Sequence, residues 1–340
     1  MKVGIVGLGL YLPKNKMTAA EISAATGGNW TEDAVINKLG IVEKYVPSAD
    51  PCDGTQEMGA LAALDCLKNT GVDPLEIDAI LCITEEWKDY PDGIKIEEYR
   101  GDYFSAYIML IKDPDQVYLA TSTTGAFSKD KPGTRINNAI ETEKAAAAIN
   151  AGAFFDNGTS SSVVGSVPQG LVVAGGKVVW ESGSAPEEGF VGFNQDNILM
   201  VAKTMTGAKA MELGIRDGCC FGPALIINGE QNMEAYNNNS GWNPRTAIGQ
   251  RADGAVIFVC IDGRQTSSLG GSYADIINIM VEYGAVNACN MDGGSSSVML
   301  YRDTYGLYGE AGQVQMINNY SLLQSQPRRM PNFWMVRKAN

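Results

Sequence analysis

Histidine is absent from this chain of 340 residues. That absence excludes the commonest general base, the Ser/His and Cys/His nucleophile pairs, and most transition-metal sites. Any chemistry must rest on carboxylates, Arg, Lys, Tyr and backbone amides. Basic residues are also scarce: 26 Lys and Arg against 39 Asp and Glu leave a net charge of −13. Such a field repels nucleic-acid backbones and anionic membranes, so no nucleic-acid partner is expected. Apolar runs are all too short to cross a bilayer, so no transmembrane segment is expected. The apolar start from Met1 to Leu12 is broken by Pro13 and Lys14 before a cleavage site, and reads as no export signal. The seven cysteines are an odd number, several lie in apolar runs such as Val259-Cys260-Ile261, and they read as buried thiols.

What is present is enough apolar residue, 45%, for a large core, in a chain long enough for two units. The first part reads as a strand over Val3–Leu12, a helix from near Thr18, a helix from Thr55 and a strand over Ala79–Ile83. Gly7-Leu8-Gly9 has a dinucleotide-site flavour, but Leu12 stands at the third glycine position and Pro13 follows. The stretches Val3–Pro13, Leu39–Lys44, Gly54–Met58 and Glu85–Pro91 resemble the start of 3-oxoacyl-carrier-protein synthase III enzymes. The resemblance implies an incomplete thiolase-like α/β segment over residues 1–91. That family needs a His and later parts of the fold, so acyltransfer is argued against here.

From Asp92 the texture changes to short β-like runs: Tyr107–Ile111, Val117–Ala120, Gly170–Val173, Lys177–Trp180 and Ala224–Ile227. Gly175-Gly176 signals a hairpin and Asn237–Gly241 a surface loop. A boundary is placed at Pro91–Asp92, giving a second domain over residues 92–340.

The most informative stretch is Gly254–Met299. Ala255–Ile261 is a continuous apolar run, as a strand covered on both faces would be, and it ends at Asp262-Gly263-Arg264. Ser272 with Asp275 forms a capping-box pattern, Ile276, Ile277 and Met280 share a helical face, and Gly284 stops the helix. A strand over Ala285–Met291 then ends at Asp292-Gly293-Gly294. Strand, helix and strand predict a right-handed βαβ crossover with parallel strands, both aspartates at carboxyl ends. Their separation would be roughly 5 to 10 Å depending on strand order. That range spans both spacings of paired carboxylates in glycoside hydrolysis. Either Asp-Gly alone reads equally as a loop-capping turn.

Gly293 and Gly294 allow close backbone approach or positive φ, and Ser295, Ser296 and Ser297 offer hydroxyls and amides to an anion. Asn243–Gly249 carries Arg245, whose fork suits a phosphate and would otherwise make a surface salt bridge. Asn150, after the apolar run Ala145–Ile149, can bond a sugar hydroxyl, and Phe154 and Phe155 read as core or as a stacking platform.

Five ordered motifs, Ile149–Phe155, Phe221–Leu225, Asn243–Gly249, Val259–Gln265 and Asn290–Ser296, together resemble the phosphodiester glycosidase family, over about Asp92 to the end. Ser295 replaces a third glycine common in that family, and Asn150-Ala151-Gly152 replaces an Asn-Gly-Gly; both changes narrow the loop and bear on substrate size. The fold implied is α+β: mixed β-sheets with packed helices, a βαβ unit carrying the site, and the thiolase-like segment before it. The activity implied is hydrolysis of a sugar-1-phosphodiester, in exopolysaccharide or cell-envelope glycan metabolism, by bacterial relatives that usually carry an export signal. Asp292 is then expected as nucleophile or base, Asp262 as its partner, and Arg245 with Thr246 as phosphate ligands. Asn150, Arg264, Asn290, Gly293, Gly294, Ser295 and Ser296 are expected around the sugar and its loop. The residues fix no cofactor: the polar loops could coordinate Ca²⁺ or Mg²⁺, but no dedicated cage is seen and the metal requirement stays open. The competing reading is a glycan- or phosphoglycan-binding module without turnover. Sugar, aglycone, oligomeric state and compartment stay open.

Overall fold

The computed structural model describes residues 6–26, 30–48, 55–77, 90–122, 127–128, 131–155, 165–182, 189–305, 308–320 and 326–339. Two compact units divide the chain at Lys88–Asp89. The expected strand at Ala79–Ile83 lies outside the described residues.

The first unit runs β1 (Asn15–Thr18), α1 (Ala19–Ala25), α2 (Glu32–Asn37), β2 (Glu43–Val46) and α3 (Thr55–Thr70). The helix expected near Thr18 starts there because Thr18 and Glu21 close a capping box. The strand expected over Val3–Leu12 does not form over its described part: residues 6–13 have no regular structure, and β1 begins at Asn15, where it pairs with β2. A strand needs a ladder partner, and Val6, Leu8 and Leu10 stand exposed instead. Pro13, Ala19 and Val35 are the buried apolar side chains of this unit's described part.

The second unit continues with β3 (Ile94–Arg100), β4 (Ser105–Ile111), β5 (Val117–Thr121), β6 (Thr134–Arg135), α4 (Ile136–Glu143) and β7 (Ala147–Asn150). Then come β8 (Leu171–Ala174), β9 (Lys177–Glu181), β10 (Phe190–Asn194), β11 (Leu199–Ala202), α5 (Gly207–Glu212) and β12 (Ile215–Cys220). Next are β13 (Ala224–Ile227), β14 (Glu230–Gln231), α6 (Met233–Asn237), β15 (Arg245–Arg251), β16 (Val256–Ile261), α7 (Tyr273–Glu282) and β17 (Ala285–Met291). The chain closes with β18 (Met299–Arg302), β19 (Val314–Met316), β20 (Arg329–Met330) and β21 (Asn332–Val336). The result is an α+β architecture of several sheets and few helices.

A seven-stranded sheet, ordered β14-β13-β17-β15-β16-β4-β3, is antiparallel at every hydrogen-bonded pair. Two five-stranded sheets, β19-β18-β7-β21-β5 and β11-β10-β12-β8-β9, accompany it. Alternate residues from all three, including Met109, Phe258, Cys260, Ile149, Trp334, Val172 and Phe193, form one buried core. The period of two is the strand's own geometry, with successive side chains on opposite faces. The intervening residues of β4 and β16, such as Ile108, Ile257 and Val259, are also buried, which is why both strands read as unbroken apolar runs.

Helix α7 packs on β13, β15 and β17 through buried Ile276, Ile277, Ile279 and Met280. Its capping box at Ser272 and Asp275 and its glycine stop at Gly284, with φ +78°, follow the sequence reading. Gly249 on β15 admits this contact, since a Cβ there would lie 2.8 Å from Met280 Sδ. Strands β16 and β17 do run the same way, but β15 lies between them, antiparallel to each. Their ends are therefore two strand spacings apart, roughly 9.6 Å. The Gly175-Gly176 hairpin joins β8 to β9 with both glycines at positive φ.

Candidate functional site

Strand direction gathers the site. The carboxyl ends of β16 and β17 and the start of β15 share one edge, so Asp262, Arg245 and Asp292 come to the same side, with Arg245 opposite Ile261 and Thr246 opposite Met291. Around that edge lies a small cleft, open to solvent, whose walls include Asp262, Arg264, Gly294, Ser295, Asn319 and Tyr320.

Asp262 is 1% exposed. Its carboxylate accepts the Asn319 backbone N–H at 2.9 Å and the Asn319 amide Nδ2 at 2.8 Å. Burial dominates and pushes its pKa up from 3.8 to about 6, against the lowering effect of those amide donors. The same Nδ2 donates to Tyr107 Oη at 3.0 Å, and burial beside Asp262 pushes that phenol up to about 12. The backbone of Asp262 is equally fixed: its N–H donates to Ser105 O at 2.9 Å and its carbonyl accepts Ser268 Oγ at 2.8 Å.

The loop after β17 is held from below. Asn150, fully buried at the end of β7, donates Nδ2 to Asp292 O at 2.6 Å, and its Oδ1 accepts Thr246 Oγ1 at 2.8 Å and Val298 N at 3.1 Å. Asp292 N donates to Ala151 O at 3.1 Å and Gly294 N to Pro244 O at 2.8 Å. Asn150 and Thr246, expected at the sugar and the phosphate, thus bond each other beneath the loop. Asn290 is likewise buried, with Nδ2 donating to Gly222 O at 2.8 Å. Asn290 Oδ1, Ser296 Oγ and Ser297 Oγ are buried without a protein partner.

The glycines are required by packing. A Cβ at Gly293 would sit 2.9 Å from Pro244 O, and Gly294, at φ +60°, would put one 3.3 Å from Arg264 Nη2. Arg264 itself adopts φ +57°, lines the cleft, and donates Nη2 to Asn243 Oδ1 at 3.0 Å.

Arg245 differs from both readings of it. It makes no surface salt bridge: it is 7% exposed, donates Nε to Gly271 O and Nη2 to Ser240 O and Gly241 O, each at 3.1 Å, and lies 4.4 Å from the Tyr273 ring centroid. Burial pulls its pKa down. Much of the fork expected at a phosphate therefore holds the loop before β15. Arg328, not anticipated from sequence, reaches the rim: its Nη1 is 3.4 Å from Ser295 Oγ and its guanidinium carbon 4.8 Å from the Phe154 ring centroid. Phe154 is core and Phe155 half exposed. Tyr320 donates its hydroxyl to Ser295 O at 2.6 Å. Asn318, Asn319, Tyr320 and Arg328 all lie far along the chain from the aspartates, and their one signal was the polar run Asn318-Asn319 after a β-like segment.

Cys219, Cys220, Cys260 and Cys289 are buried thiols outside any disulfide, as the apolar runs implied, whereas Cys66, also a free thiol, is only half-buried. Among the described residues no group of three or more Cys, Asp or Glu is gathered in a way that could hold a metal ion. No helix among them is long and apolar enough to cross a membrane.

Comparison with known proteins gives short sequence matches and longer structural ones. An uncharacterized SPbeta prophage-derived protein of Bacillus subtilis is 33% identical over 87 residues, 25% of this chain and 14% of that protein. A hydroxymethylglutaryl-CoA synthase of Archaeoglobus fulgidus is 32% identical over 111 residues, 31% of each chain. A β-ketoacyl-acyl-carrier-protein synthase III of Rhizobium johnstonii is 32% identical over 78 residues, 23% of each. The chain thus spans less than a third of the length of each of these curated relatives. Among solved structures, the zebrafish N-acetylglucosamine-1-phosphodiester alpha-N-acetylglucosaminidase catalytic domain, auto-inhibited by its pro-peptide, shares the fold. Its TM-score is 0.56 at 20% identity, covering 72% of this chain and 82% of that one. The phosphodiester glycosidase family profile matches residues 143–337, more than half of the chain and all of the β15–β17 edge, so the chain belongs to the phosphodiester glycosidase family.

Proposed function

We propose that this chain is a hydrolase that cleaves the bond between the anomeric carbon of a sugar and a phosphodiester oxygen, releasing the sugar and a phosphomonoester. The observation that carries the reading is one cleft that joins a buried carboxylate, its pKa pushed up to about 6 by burial, to Arg264, with Arg328 at the rim, in a protein whose net charge is −13. A general base works best with its pKa near the working pH. Asp262 takes the proton from a water attacking the anomeric carbon. Asp292, two strands across, faces the positive charge that develops on the sugar ring. Phosphate departs without strong acid assistance, which suits a chain lacking histidine. Arg264 and Arg328, rather than Arg245, neutralise the departing phosphate. Asn150, Thr246 and Asn290 brace the loop that presents Gly293, Gly294, Ser295 and Ser296. The sugar is N-acetylglucosamine or a close analogue, the sugar in the zebrafish relative's name, and the setting is exopolysaccharide or cell-envelope glycan.

The test is incubation with N-acetylglucosamine-1-phosphate methyl diester and observation of free sugar and methyl phosphate by NMR. Product from the wild-type protein and none from Asp262→Asn supports the assignment; full turnover in that variant would sink it. Binding of the diester without product would identify a glycan-binding module, a reading favoured by the commitment of Arg245 to loop carbonyls.

A further inference from the structure

Beside the cleft two large aromatic side chains stand in solvent. Tyr103 is 56% exposed and Trp242 52% exposed, and their rings stack with centroids 4.9 Å apart and planes 27° apart. Leu269, 43% exposed, is tied to the same place, because its N–H donates to Tyr103 O at 2.8 Å. The backbone connects this group to the cleft directly. Arg264 N donates to Leu269 O at 3.1 Å, and Trp242 immediately precedes Asn243, the acceptor for Arg264 Nη2, and Pro244, a wall of the cleft. An exposed apolar group rimmed by polar loops marks a recognition surface.

We infer that the Tyr103–Trp242 pair is a stacking platform for a second pyranose ring, and that the substrate is therefore an oligosaccharide or polymeric glycan phosphodiester rather than a lone sugar diester. This rests on the hydrolase reading of the adjacent cleft. The occupant follows from the chemistry. A pyranose presents an apolar C–H face that fits a flat ring while its hydroxyls point outward to water and to the indole N–H. It is uncharged, so the acidic surface does not oppose it. Two rings and one leucine are far too small for a protein partner, which needs about 800 Å² on each side. The pair is already assembled without ligand, so little side-chain freedom is lost on binding.

The experiment compares N-acetylglucosamine-1-phosphate methyl diester with the same diester carrying two further N-acetylglucosamine residues. Wild-type kcat/KM is expected to favour the longer substrate by about tenfold, the equivalent of about 1.4 kcal/mol. Trp242→Ala is expected to abolish that preference while leaving the short substrate within about twofold of wild type, since the side chain lies outside the cleft. Equal loss on both substrates, or no loss on the longer one, overturns the platform. If neither diester is hydrolysed, the hydrolase reading fails and the platform is judged by itself, through tryptophan fluorescence with chitotriose, cellotriose and maltotriose. A saturable change that disappears in Trp242→Ala upholds it. No saturable change with any of the three removes it.

Discussion

Asp262 and Asp292 look interchangeable in sequence, each an Asp-Gly ending a buried strand, yet the fold buries them to different depths. At Asp262 side chain and backbone are both held: the carboxylate is buried, gripped twice by Asn319, and its pKa is pushed up to about 6. At Asp292 the backbone is held through Ala151 O and Asn150 Nδ2, and the residue as a whole is only half buried. Equivalent position on a topology therefore does not confer equivalent chemistry. What separates the two is which distant loop arrives over each.

The sharpest way to break the contrast is to neutralise each carboxylate in turn. Asp262→Asn is expected to lower kcat by about 10³-fold, within the range that loss of a general base produces. Asp292→Asn is expected to lower it by about 10²-fold, and a larger loss at Asp292 in steady-state kinetics would reverse the two roles. Next in size is the brace under the second loop. Asn150→Ala removes one hydrogen bond each from Thr246 Oγ1, Val298 N and Asp292 O, the first two in buried surroundings, so urea unfolding should show a loss of about 3 kcal/mol. An unchanged midpoint would mean that the loop does not depend on Asn150.

Much of this was legible because it is local. The helix after β16 was readable from Ser272, Asp275 and Gly284, since caps are decided within one turn of chain. The strands β16 and β17 were readable as apolar runs, and their common direction followed from the helix between them. The insertion of β15 between them was not readable, because strand pairing is long-range and a segment flanking the crossover carries no mark of where it docks. Several contacts within the site were unreadable for the same reason. Asn319 reaches Asp262 across 57 positions and Arg328 reaches Ser295 across 33. Arg245, which looks from sequence like an available fork, is occupied by carbonyls, two of them from the preceding turn at Ser240 and Gly241 and one from Gly271, which the fold brings near. The expected strand at the start of the chain failed for lack of a partner.

Two smaller effects sharpen the comparison. Arg264→Ala or Arg328→Ala should raise KM for the phosphodiester by about tenfold, a charge-assisted contact being worth about 1.5 kcal/mol or more, with little change for a neutral aryl glycoside. Equal loss on both substrates would remove the arginines from phosphate binding. The smallest effect is on pH. If Asp262 must be ionised, activity rises with pH through about 6. The Asn319 donors stabilise the ionised form, so Asn319→Ala should move that acid limb upward, whereas Asn150→Ala should leave it in place. The stability linkage has the opposite sign. Because folding raises this carboxyl's pKa, the contribution of Asp262 to stability is fully present below about pH 4 and is lost as pH rises through about 6. Melting temperature followed across that window, in wild type and Asp262→Asn, checks the sign.

The contact between Gly294 and Arg264 has a consequence for inheritance. Both residues sit in the left-handed region, and the guanidinium occupies the space that any side chain at 294 would enter. A mutation at position 294 therefore presses on the arginine without altering its codon, whereas loss of the arginine relieves only the contact and leaves the positive φ that favours glycine. The coupling between the two positions, 30 residues apart in the gene, is expected to run mainly from 294 to 264.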